Sequence, residues 1–189
     1  AEVAAVLAFS AITNHDRVGV ILFSDRVEKH IPPRKGTTHV LRVISEILNA
    51  RPASPRTDLE PALRYLNRVV RRRSVAFLIS DFIAPPCDHL LRVTARRHDL
   101  VSVIVDDKRE SALPAVGLVD FEDAETGQRL LLDTSHAPTR RALLARQNER
   151  REDLRQRLAR ARSDAIELHA GEPYDRALIR FFRTREKRR

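Results

Sequence analysis

Ser74-Val75-Ala76-Phe77-Leu78-Ile79-Ser80 is a short apolar run, and it ends on the acid Asp81. A run of this length bounded by polar residues predicts a buried strand. In a parallel α/β sheet the carboxyl ends of the strands form the edge where ligands bind, so this strand would deliver the Asp81 carboxylate to that edge. Upstream, Thr57-Asp58-Leu59-Glu60 opens a helix with a hydroxyl at its start. Together Thr57 and Asp81 read as half of a divalent-metal site, with Asp58 as a supporting candidate. Thr57-Asp58-Leu59-Glu60 also has the form of a capping box, in which the threonine and Glu60 satisfy the first free amides of the helix. Asp81 likewise reads as a strand-end carboxylate accepting amide bonds, with Pro85-Pro86 shaping the turn.

Working outward, Arg17-Val18-Gly19-Val20-Ile21-Leu22-Phe23-Ser24 is a second apolar run, read as a strand covered on both faces. Arg26–Ile31 alternates and reaches Pro32-Pro33, which predicts an edge strand joined by a tight turn at Ser24-Asp25. Gly36-Thr37-Thr38 starts a helix whose Val40, Leu41, Ile44, Ile47 and Leu48 share a face. Leu59, Leu63, Leu66 and Val70 predict the next helix, and another is placed near Cys87–Arg97. Leu100–Val105 is a further apolar strand, ending in Asp106-Asp107, and Asp107 joins the supporting candidates. Alternating strands and helices predict an α/β fold: a doubly wound, mostly parallel sheet with helices on both faces. An inserted β-hairpin follows over about 115–134, turning at Glu125-Thr126-Gly127-Gln128. A long basic helix is expected over about 138–162, packed by Leu143, Leu144, Leu154 and Leu158. A short strand at Ala165–Leu168 and a closing helix at Tyr174–Arg185, with Leu178, Phe181 and Phe182 facing inward, complete a single domain over 1–189.

At 189 residues the chain is long enough for one domain with a real core. No apolar run approaches a membrane span. The single Cys87 cannot form an internal disulfide, which fits a cytoplasmic setting, and a small buried side chain is the expected role. The chain lacks methionine and begins in mid-pattern at Val3, Val6, Leu7 and Ala11, which reads as a fragment missing its first strand. Such a fragment would expose apolar surface and dissolve poorly. The net charge of +9 is concentrated late in the chain. Between Thr139 and Arg162 nine arginines, Arg140, Arg141, Arg150 and Arg151 among them, face only Glu149, Glu152 and Asp153. The seven histidines show no metal-ligand spacing, and there is no phosphate loop, nucleophile elbow or zinc cluster. Nothing in the pattern supports an enzyme.

The ordered set Asp16–Val20 into Phe23-Ser24, Gly36, Arg56–Leu59, Arg71–Ser74 into Ser80-Asp81-Phe82, Asp107…Glu110…Leu113-Pro114…Gly117 and Asp123…Glu125-Thr126-Gly127 resembles a von Willebrand factor A-like domain. More narrowly it resembles the bacterial domain of unknown function 58, whose members are commonly encoded beside MoxR-type AAA+ ATPases. The resemblance implies a metal-ion-dependent adhesion site for Mg²⁺, with Thr57 as its threonine and Asp81 as its later aspartate. The Asp-x-Ser-x-Ser loop of such sites is absent from this chain, so Mg²⁺ is expected in a full-length protein and stable binding is not expected here. It further implies a non-enzymatic scaffold or adaptor whose partner is a MoxR-type ATPase or that ATPase's client. The competing expectation is a nucleic-acid-binding protein working through the arginine-rich helix and the basic tail. Acids interrupt that helix and aromatic residues for base stacking are missing from it, which favours the first reading.

Overall fold

The computed structural model describes residues 1–106, 115–122 and 129–186. Asp107, the hairpin turn at 125–128 and the last three residues of the tail lie outside the described residues. The chain divides into two units, Ala1–Arg71 with Ala84–Cys87, and Arg72–Ile83 with Asp88–Arg189. Strands alternate with helices through an α/β fold, and the parallel part of its sheet structure lies wholly in the second unit.

In the first unit, helix α1 (Glu2–Thr13) precedes strands β1 (Val18–Phe23) and β2 (Val27–Arg34), which pair antiparallel. The Ser24 amide donates to the Arg26 carbonyl at 2.9 Å and its hydroxyl donates to Glu28 at 2.6 Å, closing the expected turn. Strand β2 runs on through Pro32 and Pro33 to Arg34, further than its alternation suggested. A strand paired on one side tolerates prolines, because no second ladder needs their missing amides. The ladder slips register between Val18 and Val20. A Cβ on Gly19 would stand 2.8 Å from the Ile31 carbonyl oxygen and 2.9 Å from the Pro33 nitrogen, so glycine is what lets the two backbones meet. The sequence predicts β1 covered on both faces, yet none of its six residues is fully buried. Among the described residues β1 is paired on one edge alone, by β2, so the ribbon is too narrow for the full cover a central strand receives.

Helix α2 (Thr37–Leu48) starts at Gly36, whose φ of 103° suits only glycine. Its buried stripe is Val40, Val43 and Ile44. Val40 and Ile44 pack with Ala8 of α1, and Ala5, Ile12 and Val18 close round them. Leu41 and Leu48, placed on the inner face by sequence spacing, are exposed, and Val43 fills the inner position instead. Helix α3 (Leu59–Val69) buries Leu59, Ala62 and Leu63, and the Asp58 amide ties its start to the Ser24 carbonyl at 3.0 Å.

In the second unit, β3 (Val75–Ser80), β4 (Asp99–Asp106) and β7 (Asp164–His169) form a parallel sheet in the order β3-β4-β7. Helix α4 (Asp88–Arg97) joins β3 to β4. The hairpin of β5 (Leu118–Glu122) and β6 (Arg129–Asp133) leads into α5 (Ala137–Ala161) ahead of β7, and α6 (Asp175–Glu186) closes the chain. Side chains on a strand alternate between faces. One face carries Phe77, Val101, Val103, Ile166 and Leu168, and α6 lies on it: Phe182 meets Phe77 edge-on, and Arg185 bonds Asp99 at 2.5 Å. The opposite face carries Leu78, Leu100, Ser102, Asp106 and Glu167, and α5 lies there through its ion pairs to the last two. The sheet therefore has helices on both faces. Leu91, Val101, Val103 and Leu158 are all but inaccessible and mark its core. In α5, Leu158 is buried while Leu143, Leu144 and Leu154 are half-buried. In α6, Leu178 is buried and Phe181 half-buried, but Phe182, placed inward by its spacing, keeps an exposed rim beyond its contact with Phe77.

Val18–Phe23 belongs to the two-stranded sheet with β2, and Val75–Ser80 to the three-stranded parallel sheet. Cys87 is buried, as its lone occurrence suggested. Among the described residues no helix is long and apolar enough to cross a membrane.

Candidate functional site

The carboxyl ends of β3, β4 and β7 meet at one edge of the parallel sheet. After Ser80 the chain turns sharply. Asp81 Oδ1 accepts the Ile83 amide at 2.9 Å, Ser80 Oγ accepts the Phe82 amide at 3.1 Å, and Phe82 is held at φ 58°. A bulky residue at positive φ costs about 1–3 kcal/mol and persists only where its surroundings fix it. Here the two side-chain turns and the burial of the Phe82 ring do so. The strain leaves Asp81 and Ile83 exposed on either side of a buried anchor.

A small cleft of about 90 Å³ lies at this edge, bounded by Asp81 and Ile83 after β3, Asp106 on β4, Glu167 and His169 on β7, and Arg150, Arg151 and Arg155 on α5. Arg151 and Arg155 are one helical turn apart and so share a face. Asp106 and Glu167 are on the sheet face that meets it. Arg151 pairs with Asp106, and Arg155 grips Glu167 with two bonds of 2.6 and 2.8 Å. The Arg155 hydrogen bond is the chief reason the Glu167 carboxyl lies below the usual carboxylate range; burial opposes it. The same bond raises Arg155. His169 Nδ1 stands 3.9 Å from Asp106 Oδ2. Arg157 fixes α5 to α4 through Asp88 at 2.7 Å.

Sequence reasoning kept the Asp81 edge and the arginine helix as rival features, yet both line this one cleft. Of the basic candidates, Arg140 donates to the Thr134 and Ser135 carbonyls and holds the start of α5, and Arg151 faces Asp106. Arg141 and Arg150 remain exposed. Thr57 and Asp58 belong to the first unit and Asp81 to the second. The capping-box reading of Thr57 is corrected: Asp58 is the N-cap, and its Oδ1 accepts the Glu60 amide at 2.9 Å. With Asp58 as cap, Glu60 sits one position too early to reach back, and it bonds Arg64 one turn ahead instead.

Among the described residues, the side-chain oxygens at this edge are largely engaged. A divalent ion needs about six oxygens, whereas Asp81 Oδ1 serves backbone, and Asp106 and Glu167 face guanidinium groups. Among the described residues no three His, Cys, Asp or Glu side chains stand together as a cation cage. What the edge offers chemically is an exposed acid, an exposed arginine and an apolar lip at Ile83.

The family model described as protein of unknown function DUF58 matches residues 1–153. The chain belongs to that family. An uncharacterised protein of Mycobacterium tuberculosis strain H37Rv is 38% identical to this DUF58 chain over 132 residues, which cover 65% of the chain and 41% of the relative. A Mycobacterium bovis protein, also uncharacterised, matches to the same extent. A third, from Mycobacterium avium, is 39% identical over 101 residues, covering 51% of the chain and 59% of the relative. The DUF58 chain thus spans about two fifths of the length of the first two relatives. No solved structure matches it.

Glu167 and His169 were not singled out from the DUF58 sequence. Their signal is the alternation Asp164-Ala165-Ile166-Glu167-Leu168-His169, which sets both on the face opposite Ile166 and Leu168. His98 was also missed. It is fully buried between α4 and β4, and among the described residues neither ring nitrogen has a hydrogen-bond partner.

Proposed function

We propose that this DUF58 chain is a non-enzymatic, cytoplasmic interaction module of von Willebrand A type, a scaffold or adaptor that docks a protein partner at the carboxyl edge of β3, β4 and β7. The observation that carries this reading is the convergence of Asp81, Ile83 and Arg150 on one cleft whose deeper charges are already paired. Charges of both signs beside an apolar lip suit a protein surface. Each attracts the opposite charge on a partner and repels its own sign, which fixes the partner's register. By resemblance the partner is a MoxR-type AAA+ ATPase or the client it remodels. Recognition by charge pairs needs no bound metal. Mg²⁺ binding through Thr57 and Asp81 would draw on oxygens beyond those that the edge supplies.

Nucleic-acid binding along α5 is the weaker reading. Arg140, Arg151, Arg155 and Arg157 already bond carbonyls or carboxylates within the chain, so fewer cations remain for phosphates. Hydrogen–deuterium exchange in the presence of the MoxR-type ATPase tests the proposal. The expected result is new protection at 79–83 and 147–155, unchanged by a chelator. Protection confined to 137–146, or elicited by an oligonucleotide instead of the ATPase, contradicts it.

A further inference from the structure

The first unit holds a second cleft, of about 240 Å³, between β2 and α2. Lys29, His30 and Arg34 line it from β2, His39 and Arg42 from α2, with Ile31 and Pro32 between them. Ligand sites for drug-sized molecules run to about 300–1,000 Å³, so this one suits something smaller. Its charge is one-sided. Glu46 pairs with Lys29 at 2.6 Å, while among the described residues Arg34 and Arg42 have no ion-pair partner.

The frame beneath these cations is stiff. Pro32 and Pro33 fix the backbone leading to Arg34. His39 Nε2 lies 2.8 Å from the Val18 carbonyl oxygen, which can only accept, so that nitrogen carries a proton and pins α2 to β1. Tyr65 holds the His30 ring edge-on, its hydroxyl 3.2 Å from Nδ1. Two guanidinium groups converging on a small cleft repel each other until an anion enters. Their planar forks match the oxygens of a phosphoryl group in particular.

We propose that this cleft binds a phosphoryl group, free or carried by a small ligand, with Arg34 and Arg42 as the principal contacts. The site lies apart in sequence and unit from the sheet edge, so its fate is independent of the partner-docking reading.

Calorimetric titration of the 189-residue protein with inorganic phosphate and with phosphoserine, at constant ionic strength set by chloride, tests it. Saturable one-site binding is expected, weakened at least tenfold by Arg34→Gln or Arg42→Gln and lost when both are changed. Arg141→Gln on α5 should leave it untouched. Tighter binding of phosphoserine assigns the site to phosphomonoesters, and equal or weaker binding assigns it to free phosphate; either supports the proposal. A response that never saturates, or one that survives both substitutions, overturns it. So does binding of an oligonucleotide with no response to phosphate. Both arginines are exposed, so the variants should keep the wild-type circular dichroism. If the double variant unfolds, the single variants and the wild-type saturation curve decide.

Discussion

Replacing Gly19 by alanine would drive a methyl group against the Ile31 carbonyl and the Pro33 nitrogen. Both obstacles are backbone, which cannot swing aside as a side chain would. The expected loss is about 1–3 kcal/mol, read as a lower urea midpoint at unchanged m-value. At the start of α3, Asp58→Ala removes the bond to the Glu60 amide and should cost about 1 kcal/mol. Thr57→Ala leaves that cap in place and should cost less; the opposite order of midpoints would restore the capping box. His98 is held below the ordinary histidine value, first by burial and then by Arg97 and Arg73. Its unfolded form takes up a proton at higher pH than its folded form. Stability is therefore complete above the ordinary value of about 6.5 and falls as pH drops below it, toward the folded value. Urea midpoints measured from pH 7.5 to 5 should show this slope in the wild type and lose part of it in His98→Leu. At this scale the sequence is informative where one residue type has one use, as with Asp81 after an apolar strand. It is ambiguous where two good caps stand side by side, as Thr57 and Asp58 do.

Helix α5 shows how an element's meaning depends on what it packs against. Its arginines were legible as charge, but its few leucines gave little sign of which face turns inward. The two strands opposite decide it, because Asp106 on β4 and Glu167 on β7 meet the Arg151 and Arg155 side. The Arg155–Glu167 pair has its side chains 50% and 38% exposed, so its coupling should be small, about 0–1 kcal/mol. Glu167 is shifted downward, so this contribution is present above the usual carboxylate range and is lost as pH falls through the lowered folded value. The Arg151–Asp106 pair is less exposed, at 34% and 20%, and should couple more strongly. Double-mutant cycles to alanine on the two pairs, measured at pH 7, check that order. Equal couplings would show that burial does not set their strength.

Across the whole chain, the α/β class and nearly every element were readable from hydrophobic periodicity and turn residues. Which strands share a sheet was not. Pairing is a long-range choice, and the apolar runs of β1 and β3 carry no mark that the first takes β2 alone while the second takes β4. Several large apolar side chains stay in water, among them Val75 on β3 and Leu118, Leu130 and Leu131 on the β5–β6 hairpin. Exposed apolar strands invite association. Light scattering should therefore show concentration-dependent growth that Leu118→Lys and Leu131→Lys reduce. Family membership and the placement of charged groups at the sheet edge both bear on one central claim, that the carboxyl edge is a docking surface for a protein. Its most direct test is the affinity of the MoxR-type ATPase for the wild type and for Asp81→Ala, Arg150→Glu and Arg141→Glu. Binding at least tenfold weaker in the first two variants and unchanged in the third is the predicted result. Equal affinity in all four proteins, or a loss as large with Arg141→Glu, would contradict it.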